Sequence, residues 1–318
     1  MMKRKHKFRV CAEICRFGKD RKRFSAGLAA TLLLLWILFC VTGCSGGKDE
    51  DTEVPDTSKE SYGVFLGIDS KSFDINIFDG YDTVVVDAQE LREDQLAQLH
   101  AKGHTVYSYL NVGSIEMSRD YFEDYKDLCL DKYENWPEEY WIDVTQKRWQ
   151  EFTGVYLPQV ILSKDPKVDG LFLDNLDIYY HVMNKRKYRS MKEDVYASLI
   201  SILESYEEED LPVLVNGADT FVSRLLEEER EDLIRGVNQE TVFSKILDYE
   251  KDRFGEQPEK ENEYYTDYLK DCKKAGIEVY LLEYTTDEDV ERKISRYCEK
   301  NGFRYYISSH VNLISPDD

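Results

Sequence analysis

The sequence predicts a single (β/α)8 TIM barrel, and three observations predict it. Short β-rich runs alternate with amphipathic segments along most of the 318 residues, the pattern of a parallel sheet built from βαβ units. Eight such runs fall within about 250 residues, the length usual for a closed barrel. Three segments end in one signal, Ala101-Lys102-Gly103, Lys274-Ala275-Gly276 and Lys300-Asn301-Gly302. Each places a glycine where a helix would stop in the left-handed conformation, directly before the next run.

The chain opens with a basic segment. Residues 1–43 hold ten Lys or Arg against Glu13 and Asp20, a net of +8, and residues 27–41 are almost uninterruptedly apolar. About 15 apolar residues fall short of the roughly 18–20 that a bilayer-spanning helix needs and fit the hydrophobic core of an export signal. The run ends in Val41-Thr42-Gly43-Cys44, which resembles a bacterial lipoprotein signal in which the Cys is lipidated and becomes the new N-terminus. An uncleaved N-terminal anchor is the competing reading. Both put the folded part on the extracytoplasmic face of the cell membrane, held by a lipid anchor on Cys44 in the first case. Residues 44–61 are polar and acidic with Gly and Pro and read as a flexible linker. The barrel domain is then 62–318.

Within that domain the β-rich runs are 63–69, 82–87, 105–110, 140–144, 170–174, 212–216, 234–240 and 277–284. The amphipathic segments 91–102, 146–162, 191–206, 220–233 and 263–275 lie between them and read as helices. A ninth run, 304–308, is one more than the barrel takes, so it pairs at the barrel margin or one of the eight belongs elsewhere. The stretch 168–177, V-D-G-L-F-L-D-N-L-D, is the one around which the rest is organised. Leu171-Phe172-Leu173 reads as a buried strand that opens into the polar cluster Asp174, Asn175 and Asp177. Alternation puts Gly170, Phe172 and Asp174 on one face, away from Leu171 and Leu173, and ligands of barrels bind beyond the carboxyl ends of the strands. Capping of a following helix is the other use for Asp174 or Asn175.

That position recurs along the chain. Asp69, Asp87 and Glu240 end their runs, Glu283 lies in the last residues of its own, and Tyr109, Asn111, Asn216 and Asn238 sit at comparable places. Any one of them suits a cap or turn. A mouth lined with acids, amides and tyrosines suits sugar hydrolysis, in which one carboxyl protonates the leaving oxygen and another stabilises or attacks the anomeric carbon. The 23 tyrosines either hold sugar rings on their faces or pack the core. The patterns of other chemistries are missing. The five histidines form no H-E-x-x-H and the cysteines no C-x-x-C, so no metal and no other cofactor is expected. No G-x-S-x-G, G-x-G-x-x-G or G-x-x-x-x-G-K-[ST] occurs at a strand end. Outside the leader and Cys44 only Cys129, Cys272 and Cys298 remain, enough for one bridged pair. The chain's net charge is −21, so the part after residue 43 carries −29. This argues against nucleic acid and permits a neutral or cationic partner, although solubility alone accounts for most acidic surfaces.

Four motifs resemble those of one family. D-G-L-F-L-D-N-L-D at 169–177, Y-S-Y-L-N-V-G-S-I-E at 107–116, W-I-D-V-T-Q-K-R-W-Q at 141–150 and G-V-N-Q-E-T-V-F at 236–243 look like glycoside hydrolase family 114, the endo-α-1,4-polygalactosaminidase-like (β/α)8 barrels, across essentially all of 62–313. The resemblance implies cleavage of an α-1,4-linked galactosamine-type polysaccharide, cationic where it is deacetylated, by a retaining mechanism with Asp174 and Glu240 as the catalytic pair. It implies substrate contact or site support at Asn175, Asp177, Asn111, Glu116 and Asp143. The strand-end positions Asp69, Asp87, Tyr109, Asn216, Asn238, Glu283 and Tyr284 complete the expected contacts. The sequence departs from the family where Glu283 precedes Tyr284 in place of an Asp-Tyr-like ending, and where 183–192 is unusually basic. Within the pair, Asp174 is expected to stay ionised among its polar neighbours as nucleophile or charge stabiliser. Glu240 is then the acid/base, its pKa raised by partial burial and by the charge on Asp174. Two other classes compete. A catalytically silent glycan-binding barrel would use the same residues, whereas a lipid-anchored solute-binding protein would need two lobes, against which the single series of βα units argues.

Overall fold

The structure, a computed structural model, describes residues 61–314. The expected signal segment, the lipidation site Cys44 and the linker up to residue 60 lie outside the described residues. Among the described residues no helix is long and apolar enough to cross a membrane.

In chain order the strands are β1 (Tyr62–Phe65), β2 (Thr83–Val86), β3 (Thr105–Asn111), β4 (Ser114–Glu116), β5 (Cys129–Lys132), β6 (Glu139–Ile142), β7 (Gly170–Asp174), β8 (Val213–Asn216), β9 (Gly236–Glu240), β10 (Ser244–Asp248), β11 (Arg253–Glu256), β12 (Glu278–Tyr284) and β13 (Arg304–Ser308). Eight of them make one sheet in the order β1-β2-β3-β7-β8-β9-β12-β13, with every pair parallel. Its two ends, β1 and β13, come side by side, so the sheet curls into a (β/α)8 barrel. The crossovers carry helices, among them Glu93–Ala101, Lys192–Glu208, Asp219–Glu227, Glu259–Lys274 and Glu288–Asn301. The glycine stops hold: Gly103, Gly276 and Gly302 have φ of +92°, +87° and +68°, which only glycine adopts without strain.

One expected barrel strand lies elsewhere. The run 140–144 forms β6, which pairs antiparallel with β4 and β5 in a separate three-stranded sheet, and the ninth run, β13, takes the eighth place in the barrel. The connection decides it. A parallel neighbour needs a crossover of a dozen or more residues, usually a helix, and between β3 and β6 the α-helix present, Phe122–Tyr125, has 4 residues. The stretch from β4 to β6 is therefore an insertion at the C-terminal end of β3. The consecutive helical segments Lys147–Glu151, Phe152–Tyr156 and Leu157–Leu162 then complete the crossover to β7. A second insertion, the antiparallel hairpin β10-β11, follows β9.

Alternation on β7 runs as the sequence predicts. Gly170 and Phe172 face the barrel interior below Asp174, while Leu171 and Leu173 are buried on the opposite face. Gly170 is needed because a methyl group on it would come within 2.4 Å of the Tyr107 ring. Tyr62 and Tyr280, with ring centroids 4.7 Å apart, fill the interior with it. The barrel is thus plugged by side chains, and its chemistry is confined to one mouth.

Candidate active site

The C-terminal ends of the barrel strands open into a cleft of ≈ 860 Å³. Asp174 ends β7, Asn216 ends β8 and Glu240 ends β9, and all three line it. Asn216 stands between the two acids. Its Nδ2 donates to Asp174 Oδ1 at 2.9 Å and to Glu240 Oε1 at 2.7 Å. Those two oxygens are therefore no farther apart than the sum of the two distances, 5.6 Å. The Tyr284 hydroxyl donates to Glu240 Oε2 at 3.0 Å. Beside Asp174, the Tyr109 hydroxyl lies 3.3 Å from Oδ2 and 3.1 Å from Glu116 Oε1, and Asn175 Nδ2 lies 3.3 Å from Oδ2. Below Asn216, its Oδ1 accepts from Asn238 Nδ2 at 2.7 Å, and Asn238 Oδ1 accepts from the Tyr62 hydroxyl at 3.1 Å.

Sharp backbone turns aim these groups. Asn175, Gly217, Ala218 and Thr241, just past β7, β8 and β9, all have left-handed φ, between +53° and +62°. Such backbone is strained for the three that are not glycine, and is typical of functional sites. Gly113 makes the first turn possible, since a methyl group there would come within 1.7 Å of the Asn175 carbonyl oxygen.

Burial governs the electrostatics. Asp174 and Glu240 keep some surface open to the cleft, but protein encloses both carboxyls otherwise. Burial, reinforced by the charge of Glu240, pushes Asp174 up to about 8. Burial also raises Glu240, against the hydrogen bonds from Asn216 and Tyr284. Two carboxyls this close titrate as a pair, and burial favours the protonated form of each. Burial raises Glu240 as expected, but the neighbour's charge acts on Asp174 instead of on Glu240, and Asp174 is not held in the ionised range. Asp177 is pushed up to about 7 by burial and by Asp219, and burial raises Asp87, Glu139 and Asp219 as well. The Tyr109 and Tyr284 hydroxyls are held far above their ordinary range, first by burial and then by the neighbouring carboxylates, so they remain donors.

Of the residues expected at the mouth, Asp87, Tyr109, Glu116, Asn175, Asp177, Asn216 and Tyr284 line the cleft with the pair. Five do not. Asp69 Oδ1 accepts from the backbone N–H of Lys71 and Ser72 within its own turn. Asp143 accepts from Thr145 and Gln146 at the start of the following helix. Asn111 and Asn238 are buried behind the cleft wall. Glu283 is fully buried and faces away, accepting from the backbone N–H of Val242, Phe243 and Ser244 at 3.1, 3.0 and 2.9 Å. Its neighbour Tyr284 faces the mouth, so alternation turns Glu283 outward. The three cysteines, Cys129, Cys272 and Cys298, are free, so no pair is bridged.

The insertions supply what sequence reasoning missed. Glu139, on β6, accepts from Asn111 and Asn175 at 3.0 Å each and from the Ser114 hydroxyl. Arg119 pairs with Asp87 at 2.7 Å and Glu116 at 3.2 Å. Trp136, from the turn between β5 and β6, meets Tyr249, from the turn of the hairpin, edge to face at 5.7 Å, and Asn135 Nδ2 donates to the Tyr249 hydroxyl at 3.2 Å; all three line the cleft. Asp219, also in the lining, had a signal, since it follows the strand-end Asn216 by three residues. Arg119, Trp136 and Tyr249 had none.

The sequence profile of glycoside-hydrolase family GH114 matches residues 51–313. Among solved structures, the glycoside hydrolase domain of PelA from Pseudomonas aeruginosa superposes with a TM-score of 0.65 at 18% identity, covering 80% of this chain and 96% of that one. Aspergillus fumigatus Ega3, solved in complex with galactosamine, gives 0.60 at 14% identity, with 80% and 93% covered. At these identities the likeness establishes the barrel fold. A search of curated proteins found no match.

Proposed function

The chain belongs to glycoside-hydrolase family GH114, and from that premise we propose that it cleaves a galactosamine-type polysaccharide with Asp174 and Glu240 as its catalytic pair. The observation that supports the pair is the shared donor Asn216, which keeps their facing oxygens within 5.6 Å. Retaining glycosidases hold two carboxyls about 5–5.5 Å apart and inverting ones about 6.5–9.5 Å, so the spacing favours the retaining course. In that course the Asp174 carboxylate attacks the anomeric carbon while Glu240 gives its proton to the departing glycosidic oxygen, leaving a glycosyl ester on Asp174. Glu240, now ionised, takes a proton from water. The water oxygen attacks the same carbon, the ester bond breaks, and Asp174 returns as carboxylate. Without substrate, burial and the charge of Glu240 favour the protonated form of Asp174. Positive charge developing on the sugar ring next to it favours its ionised form and leaves the proton to Glu240.

A cationic substrate fits the −29 carried after residue 43 and the galactosamine bound by Ega3. Lipid anchoring through Cys44 belongs to the same reading and rests on Val41-Thr42-Gly43-Cys44. Cys44→Ser should release the protein from the membrane fraction, and membrane-bound protein with an unmodified Cys44 would rule the anchor out. Reducing ends released from partly deacetylated galactosaminan test the activity. Asp174→Asn and Glu240→Gln should each fold and lose about 10³-fold or more in kcat, and azide should restore turnover of an activated substrate by Glu240→Gln. Near-normal turnover by either variant overturns the pair. Wild-type protein that binds the polymer without releasing ends is a glycan-binding barrel instead.

A further inference from the structure

We propose that Tyr62, which lies outside the cleft, fixes the direction of the Asn216 amide and is thereby a positioning residue for the carboxyl pair; the inference rests on the assignment of Asp174 and Glu240 above. An amide has a donor end and an acceptor end of nearly equal shape. Turned over, Asn216 would set its Oδ1 against both acids and repel the ionised ones. Its direction is held from below by Asn238, its register partner on β9, whose Nδ2 donates to Asn216 Oδ1. Asn238 is fully buried and could itself turn over. What holds it is the Tyr62 hydroxyl, which reaches from β1 to donate to Asn238 Oδ1 at 3.1 Å, on a ring packed against Tyr280.

Donation thus runs one way along the whole path, from Tyr62 to Asn238, to Asn216 and then to both carboxyls, and hydrogen bonds in such a chain polarise one another. A hydroxyl can also accept, but the reversed chain would end with an amide oxygen facing both carboxyls, where a protonated one could donate to it while an ionised one would repel it. Without the hydroxyl, Asn238 Oδ1 is left buried with no donor. Either it stays unsatisfied or the amides turn, and both outcomes weaken the two bonds from Asn216 to the acids. Those bonds favour the ionised forms. Tyr62 therefore acts on protonation and turnover at a site that it does not touch.

Tyr62→Phe keeps the ring and removes the hydroxyl. Carbon-13 NMR of carboxyl groups in the substrate-free full-length protein, assigned with Asp174→Asn and Glu240→Gln, should show the pair titrating about one unit higher. The groups that face the pair from neighbouring elements, Tyr109, Tyr133, Glu139, Asp177, Tyr249 and Tyr284, are unchanged in this variant. With polymer, kcat should fall about tenfold with KM within twofold, and the acid limb of the pH profile should move upward. Asn238→Leu should do the same, and the double variant should be no worse than either single one, because one broken link disables the relay. Effects that multiply, or a Tyr62→Phe titration equal to wild type, overturn the proposal. So does lost turnover that follows lost folded protein at an unchanged pH profile. Should Asn238→Leu fail to fold, the Tyr62→Phe titration decides alone. Wild-type protein without turnover would defeat the proposed function, and the titration would still decide the relay.

Discussion

At Asp174 a single enclosed carboxyl ties the stability of the fold to pH. In the unfolded chain an Asp loses its proton near 3.9, whereas burial and Glu240 push it up to about 8 in the folded protein. Between those values the folded state binds more protons, so this group's contribution to stability is fully present below about pH 4 and is lost as pH rises toward 8. Asp174→Asn removes the ionisation. The variant should match wild type near pH 4 and melt higher than wild type at pH 8, by about 2–4 °C for each kcal/mol gained; calorimetry across that range checks it, and a lower melting point at pH 8 contradicts it. The kcat/KM profile should be bell-shaped, with its alkaline limb near pH 8 where the pair gives up its last proton. Asp174 and Glu240 were legible as strand-end carboxyls because each ends a β-rich run, hydrophobic before Asp174 and polar before Glu240, that alternation aims inward. Glu283 was misplaced because it was grouped with its neighbour Tyr284, and a strand sends adjacent side chains to opposite faces. Asn111 and Asn238 were placed one layer too high, a matter of depth that strand-end position does not encode.

At the scale of elements, the barrel count was legible but one run was assigned to the wrong sheet. The composition that marks 140–144 as a strand is the same in a barrel and in an antiparallel insertion; what separates them is the crossover, and that lies outside the run. The same insertion brings Glu139 and Arg119 to the cleft through tertiary packing, which no local pattern announces. Two single changes test how these elements are tied down. Gly113→Ala sets a methyl group against the Asn175 carbonyl and should cost about 1–3 kcal/mol of stability together with activity, as the turn that carries Asn175 is pushed back; denaturant unfolding and turnover check it. Glu283→Gln puts an amide NH2 among the N–H donors of 242–244. It should cost about 1–3 kcal/mol and speed hydrogen exchange at Val242, Phe243 and Ser244. Unchanged exchange there would mean that the carboxylate does not hold the segment after β9.

Across the whole molecule, charge and closure decide how a polymer meets the site. With −29 after residue 43, encounter with a deacetylated, cationic galactosaminan should be steered. Its kcat/KM should fall as salt shortens the screening length from about 30 Å to about 8 Å, while the fully acetylated polymer responds little. Equal responses from the two would remove charge from the account. Where Trp136 and Tyr249 meet, two loops that leave the barrel at β3 and β9 close a ring of protein at the cleft that holds Asp174 and Glu240. A thread passes a ring freely by its end, but its middle can enter only when the ring opens. Trp136→Gly should therefore raise the loss of viscosity of a long polymer for each reducing end released, and an unchanged ratio would mean that the polymer never passes through the ring.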